Sequence, residues 1–558
     1  MQSEVLIIAE IALHYLLLVG IVLVGTALRF WNLDLKPLWM DEVITALFSF
    51  GRSYYDVPLG EAVTLSTLEQ LFEWNRAATC AGIAQTISVQ SVHPPLFFCW
   101  LHSWLGWVAP IEQSWVWKLR ALPAIAGVVS IGVMYTLNRI AFSKTAGVFA
   151  ALVMAVSPFA VYLSQEARHY TVPMVMIAIA LLGLIQIQQD LHKQQIRPAI
   201  WIGWSIVNGI GFYVHYFFVL AVIAQVVTLI GLYGWQCQRG VGSRRHGRTL
   251  VLSIALLALF YLPGLPTFLS HIGRSETDWL KASHTGILAA IAPLYQLVAG
   301  WLVMAIALPV ENQPLGIAIS AGVLMLLFGG WLGWRIIAGL RWLWLDPKTH
   351  WQTVMLMGFV TCVVVEFLAI VYGLNKDITQ VPRYNFIYFP AVCALVGASL
   401  WAKNTKAPKI DKRLASLSSV IVFVVGVLSC GFVVYNLVFL KPYEPSNVAQ
   451  TMNAPGRSLV IMAYKDFQDI ALGLSFALAL PPEETFAFVS RLQGYNALWQ
   501  SLSALNPQQP PHHVWMIAPG LRQTDFPAML STGGKLCRLN TANYHRIGIP
   551  YQGYDCDK

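Results

Sequence analysis

An acidic pair, Asp41-Glu42, follows the first long apolar run of the chain, inside the string Arg29-Phe30-Trp31-Asn32 … Pro37-Leu38-Trp39-Met40-Asp41-Glu42. A carboxylate beside a bilayer and walled by aromatics is placed to act as a general base toward a hydroxyl. The plainer reading is a solvated pair at a helix start, since Asp often caps helices. Trp31, Pro37 and Trp39 weigh toward the first, because a solvated cap needs no aromatic wall.

Further polar groups recur at the ends of apolar runs. Glu166 and Arg168 stand in Ser164-Gln165-Glu166-Ala167-Arg168-His169-Tyr170. They read either as a structural ion pair and interfacial anchor or as groups that bind an acceptor and support Asp41. His93 precedes Pro94-Pro95 and reads equally as a cap or as a donor to an anionic group. Arg383-Tyr384 follows Pro382 and precedes an apolar run. An arginine at headgroup height suits a lipid phosphate, with plain anchoring as the alternative. Lys281 and Arg274 are further phosphate candidates, and His215, beside Tyr216, reads as a ligand or as a satisfied polar tip.

The elements that must hold these groups are membrane helices. Of the 558 residues, 57% are hydrophobic and 11% charged, and the mean hydropathy is +0.59. Soluble domains carry about 25% charged residues. Apolar runs long enough to span a bilayer recur near 5–28, 114–138, 146–163, 171–188, 199–213, 217–235, 249–269, 315–338, 352–372, 386–402 and 415–440. The first is read as a retained helix, because it lacks the basic start and small-residue cleavage site of a signal peptide.

Basic residues gather between alternate runs: Arg139 and Lys144, then Lys193 and Arg197, then Arg239 to Arg248, Arg335 to Lys348, and Lys403 to Arg413. The positive-inside rule puts these loops in the cytoplasm, the N-terminus inside and the C-terminus outside. The excess charge of +9 therefore calls for no nucleic-acid partner. The parity holds only if His93–Trp107 lies in the interface and either the run near 285–308 or its neighbour is re-entrant or interfacial. Every polar string above then falls on the outer face, in a plasma (inner) membrane protein of many passes.

The expected architecture is an α-helical polytopic membrane protein of about 11 spans. Its transmembrane domain covers 1–440 and includes a first outer loop at 29–113. From 441 to 558 short apolar runs (Ser458–Ala463, Phe467–Leu480, Thr485–Val489, Gly494–Leu505, His513–Ala518) predict a small extracytoplasmic α/β domain. In that compartment Cys537 and Cys556 are candidates for a disulfide, with Cys80 and Cys99 as a second pair.

The strings Arg29 … Pro37-Leu38-Trp39-Met40-Asp41-Glu42, His93-Pro94-Pro95-Leu96, Arg120-Ala121-Leu122-Pro123, Ser157-Pro158 … Ser164 to Tyr170, and His215-Tyr216 come in this order. Together they resemble the glycosyltransferases of the C-type superfold: family 39, with the protein O-mannosyltransferases and the aminoarabinose-transferase-like group. The resemblance covers about the first 220 residues. It implies a module of about seven helices with a long first outer loop. It also implies an inverting transfer of sugar from a polyprenyl-phosphate carrier to a protein, lipid or glycan acceptor.

By that analogy Asp41 is the base, Glu42 and Glu166 support it or orient the acceptor, and Arg383 matches a late arginine that holds the carrier phosphate. His93, Arg168, Tyr170, His215, Lys281 and Tyr384 complete the expected substrate contacts. Polyprenyl phosphate is already a good leaving group, so a base and cations suffice. No cofactor is required by this scheme. A divalent metal held by Asp41 and Glu166 is an option that some relatives of the superfold raise, though two or three carboxylates do not decide it.

Two rivals are an oligosaccharyltransferase or ligase-type enzyme of the same superfold, and a non-enzymatic lipid-linked sugar transporter or flippase. The latter should show mid-membrane charges and inverted repeats. The sequence has few of the first (Glu366 is one) and none of the second.

Overall fold

A computed structural model describes residues 2–274, 279–281, 286–406, 409–453 and 455–557. The chain forms two compact units, one of Met1–Leu33 with Arg120–Phe439, the other of Asp34–Leu119 with Leu440–Lys558. Of the polar string from Arg274 to Lys281, residues 275–278 lie outside the described residues, as does the start of the run at 285.

The first unit is helical. Among the described residues nine helices are long and apolar enough to cross a membrane, and a tenth span results if one bent pair is counted. Shorter apolar helices, Pro198–Val214 and Phe389–Ala402, account for the expected runs at 199–213 and 386–402. The protein is therefore an integral membrane protein of many helices. Between them small residues allow backbones to touch. A Cβ on Gly397 would lie 2.6 Å from the Ala150 backbone, and close approach of this kind supplies packing that hydrophobicity cannot supply inside lipid.

The bent pair, Lys144–Val156 and Pro158–Ser164, turns by 59°. Pro158 has no N–H, so the carbonyl four residues earlier, on Met154, loses its helical partner. Arg29 fills the gap: its Nη2 donates to Met154 O (2.9 Å) and its Nη1 to Ala155 O (3.1 Å) and Gly25 O (3.0 Å). Arg120 Nη1 donates to Leu33 O (2.9 Å). Arg29 and Arg120, two arginines of the quoted strings, are thus fully buried and bond the backbone.

Ile287–Ala305 is long and apolar enough to cross a bilayer. The Asp377 amide donates to Leu280 O (2.7 Å), which sets the chain before this helix at the C-terminal end of His350–Leu374. The helix after it, Leu315–Leu345, packs beside His350–Leu374 and joins it by a short link. Leu315 and Leu374 therefore lie at the same end of this antiparallel helix pair.

The second unit is a sheet with helices. Its strands are β1 (Ala62–Thr64), β2 (Ser458–Tyr464), β3 (Thr485–Ser490), β4 (His513–Ile517), β5 (Met529–Thr532), β6 (Lys535–Ile547) and β7 (Ile549–Cys556). Their order is β1-β3-β2-β4-β7-β6-β5. β2 runs parallel to β3 and β4, and the other pairs are antiparallel. β2 to β4 reproduce the short apolar runs of the tail, and their near-continuous burial is what covered parallel strands require.

The expected boundary at 440 left residues 29–113 with the membrane helices. In the structure 34–119 fold with the sheet instead. Ala62 to Thr64 pair with β3, Gly60 N donates to Phe488 O (2.8 Å), and the Tyr54 ring stacks on Phe467 at 4.6 Å. Both cysteine pairs are bonded, Cys80 to Cys99 and Cys537 to Cys556. Leu96–Val108 is a 13-residue helix of this unit, too short for a span.

Candidate active site

In the membrane unit the site is built on the turn between Pro158–Ser164 and Thr171–Lys193. The last carbonyls of the chain's first helix, Gln2–Phe30, have no helical donors. Gln165 Nε2 supplies them, donating to Leu28 O (3.2 Å) and Trp31 O (2.9 Å). Thr171 Oγ1 closes the turn on Leu163 O at 2.8 Å. With its ends tied, the turn holds Glu166, Arg168, His169 and Tyr170 almost wholly out of solvent, at 1–3% exposure. Desolvated charges are costly and are kept where they are used or paired.

Tyr170 is the hub of what lies around the turn. Its hydroxyl accepts from Arg383 Nε at 3.0 Å. The guanidinium carbons of Arg168 and Arg383 lie 5.7 and 5.9 Å from its ring centroid. Such cation–π contacts help to orient a guanidinium. His215 lies 5.7 Å from Tyr170, 4.5 Å from His169 and 4.9 Å from Phe386, ring to ring. Its Nδ1 accepts the Phe217 amide (3.0 Å), which leaves the proton of the neutral ring on Nε2. Tyr384 packs at 4.9 Å on Phe217.

The structure thus gathers Glu166, Arg168, Tyr170, His215, Arg383 and Tyr384 around one turn. Lys281 is exposed and its backbone bridges to Lys376.

Asp41, Glu42 and His93 belong to the second unit. The helix Met40–Ser49 starts on Trp39, whose side chain makes no cap. The capping reading of Asp41 and Glu42 is therefore corrected: both sit inside the first turn, where a carboxylate meets the positive end of the helix dipole. Glu42 is buried at 1% exposure and Trp39 at 7%, while Asp41 is half-buried. Lys441 Nζ lies 4.1 Å from the Trp39 ring centroid.

Ser475 Oγ donates to Leu38 O (2.5 Å), fixing the approach to this helix from Phe467–Ala477. His93 does not cap Leu96–Val108 either, because that helix starts on Pro95 without a side-chain cap. Its Nδ1 pairs with Ser91 Oγ at 2.8 Å.

Sequence reasoning missed His169, Phe386, Lys441 and Tyr443. Burial, then the Asp469 and Asp41 carboxylates, push the Tyr443 phenol above its ordinary pKa. The only signal for the last two was position, at the junction where the final helix gives way to the sheet. Among the described residues no three His, Cys, Asp or Glu side chains gather closely enough to hold a metal ion.

Residues 92–262 match the sequence model of a family described as dolichyl-phosphate-mannose-protein mannosyltransferase. The chain carries a module of a membrane glycosyltransferase. The matched segment runs from His93 through the bent helix pair and the Glu166–Tyr170 turn to His215, so the resemblance read from the motifs has independent support.

By structure the chain is similar to ArnT from Cupriavidus metallidurans bound to undecaprenyl phosphate, at 14% identity over 91% of this chain and 93% of that one, with a TM-score of 0.48. It is also similar to the archaeal oligosaccharyltransferase AglB from Archaeoglobus fulgidus, in complex with an inhibitory peptide and a dolichol-phosphate. There the identity is 13% over 91% of this chain and 70% of that one, and the TM-score 0.46. No curated protein matches the chain.

Proposed function

We propose that this protein is an inverting glycosyltransferase that takes a sugar from a polyprenyl-phosphate carrier and passes it to a hydroxyl of a protein, lipid or glycan acceptor at the outer face of the plasma membrane. The observation that carries the reading is the arginine held on Tyr170. Arg383 Nε is fixed by the phenol at 3.0 Å, so the plane of the guanidinium is set in advance. A guanidinium prepared in this way suits the phosphate oxygens of a lipid headgroup. Developing charge on a departing phosphate is stabilised by donors already in place, which is where such catalysis gains most.

Asp41 takes the role of base. It stands on the first turn of a helix that is tied by Ser475 and walled by Trp39, and it would accept the acceptor hydroxyl's proton as the glycosidic carbon is attacked from the face opposite the phosphate. The phosphate departs with the electron pair of the broken C–O bond. Glu42 and Glu166, both buried, position the acceptor or the base. His93, Arg168, His215 and Tyr384 are proposed substrate contacts, and Lys281, exposed on its strand bridge, meets the donor only as a peripheral charge. The two disulfides support an oxidising compartment for the unit that holds Asp41.

The test is transfer of radiolabelled sugar from a panel of polyprenyl-phosphate donors in proteoliposomes. Wild type should form product and Asp41→Asn should lose about a hundredfold to ten-thousandfold of the rate, the usual range for a general base. Turnover that is unchanged in Asp41→Asn ends the base assignment. Product from diphosphate-linked glycans alone moves the protein to the oligosaccharyltransferase reading.

A further inference from the structure

The helix that carries Asp41 on its first turn ends beside a cavity of about 270 Å³ within the second unit. Arg52, two residues past the helix C-cap, lines it with Asn75, Thr79 and Thr86, and Phe48 and Ile83 form apolar wall. Arg52 Nε is shielded from solvent and has no hydrogen-bond partner among the described residues. Arg52 as a whole is half-buried, and a buried donor on a charged group is costly to leave unmet.

The cavity is a formed feature. Gly51, with φ +78°, is the hinge that delivers Arg52, and a Cβ there would strike the Ala78 methyl, so no other residue fits. Asn75 holds the same turn, its Nδ2 donating to Gly51 O at 3.3 Å. On the far wall the Cys80–Cys99 bond pins the start of Cys80–Gln90 to Leu96–Val108. Thr79 Oγ1 accepts from Gly82 N (3.2 Å) and keeps its own proton to donate.

We propose that this cavity is a second binding site, one that takes a monosaccharide unit bearing a carboxylate. Arg52 supplies a planar fork for the carboxylate, Thr79 and Thr86 reach hydroxyls, and Phe48 and Ile83 take an apolar sugar face. The volume suits one ring and little more. With a rise of about 1.5 Å per residue, the end of the helix beside the site lies about 12 Å from Asp41, so it binds independently of the proposed reaction.

The test is binding of glucuronate to the full-length protein in nanodiscs, followed by saturation-transfer NMR, with glucose as the neutral control and inorganic phosphate as competitor. Glucuronate is expected to bind at least about tenfold more tightly than glucose, with Arg52→Met losing that margin, Arg52→Lys keeping part of it, and Asp41→Asn binding as wild type does. Thr86→Val, a milder change, should weaken glucuronate a few-fold and leaves the proposal testable if Arg52→Met fails to fold. Equal binding of glucuronate and glucose, binding unaffected by both Arg52 and Thr86 variants, or no binding to wild type overturns it. Displacement by phosphate at concentrations below those of glucuronate also overturns the carboxylate, assigning the arginine to a phosphate group.

Discussion

Arg29 Nη2 donates at 2.9 Å to the carbonyl of Met154, the acceptor that Pro158 leaves without its helical donor. The first helix and the break in Lys144–Ser164 are thereby one device, and the turn that carries Glu166 and Tyr170 begins seven residues beyond the proline.

Arg29→Met should leave the Met154 and Ala155 carbonyls unmet in a buried setting. Hydrogen bonds to charged groups contribute about 1.5–3 kcal/mol, so a fall of that order in stability is expected, with Arg29→Lys recovering part of it. Thermal unfolding in detergent, followed by intrinsic fluorescence, measures both. Equal midpoints in wild type and Arg29→Met would mean that the bend holds without the arginine.

Tyr170→Phe removes the oxygen that fixes Arg383 and keeps the ring. The lost bond is worth about 1 kcal/mol, so KM for the lipid-linked donor should rise about fivefold while kcat changes less. Arg383→Met should cost more in both. Steady-state kinetics against donor concentration separates the two, and a Tyr170→Phe enzyme with an unchanged KM would remove the phenol from donor binding.

The sequence showed these groups unequally. Asp41, Glu166 and His215 stood out because each interrupts apolar texture at a helix end, and the charge of the loops gave the expectation that those ends share one face. The pairing of Tyr170 with Arg383 spans 213 residues, and no period or spacing records a contact of that range. β2 to β4 were legible as buried apolar runs. β1 was not, since Ala62-Val63-Thr64 is three residues that become a strand only because β3 offers an open edge. β6 was equally hidden: Lys-Leu-Cys-Arg-Leu-Asn-Thr-Ala-Asn-Tyr-His-Arg-Ile alternates weakly, and its register with β7 shifts between Leu539 and Tyr544. The expected boundary at 440 missed 34–119 for the same reason, because loop residues join a distant sheet through backbone bonds that leave little mark on composition.

The Cys537–Cys556 bond ties directly opposed residues of β6 and β7. It closes a chain separation of 19 residues, for which a stabilisation of about 2–4 kcal/mol is usual. Cys537→Ser with Cys556→Ser should lower the unfolding midpoint of the second unit, and added reductant should lower that of wild type at least as far, since it also opens Cys80–Cys99. A double variant whose midpoint still falls on reduction would assign the remaining sensitivity to Cys80–Cys99.

Glu484 is 5% exposed, and its Oε2 accepts from the Ser458 amide at 2.6 Å. Burial raises its carboxyl pKa above the ordinary 4.5, and the Ser458 bond opposes that shift without cancelling it. The unfolded chain titrates near the ordinary value, so above 4.5 the folded state holds the proton longer than the unfolded state does. Stability contributed by this group then falls as pH rises through that window and levels off beyond the raised pKa. Glu484→Gln keeps an oxygen for the Ser458 amide and removes the buried charge. Its unfolding midpoint should exceed that of wild type at pH 7.5, and the difference should shrink as pH falls toward 4.5. Carboxylates far from Glu484 contribute equally in both proteins and drop out of that difference. A variant less stable than wild type at pH 7.5, with a gap that does not narrow on acidification, would show that the charge at the foot of β3 is compensated in the fold.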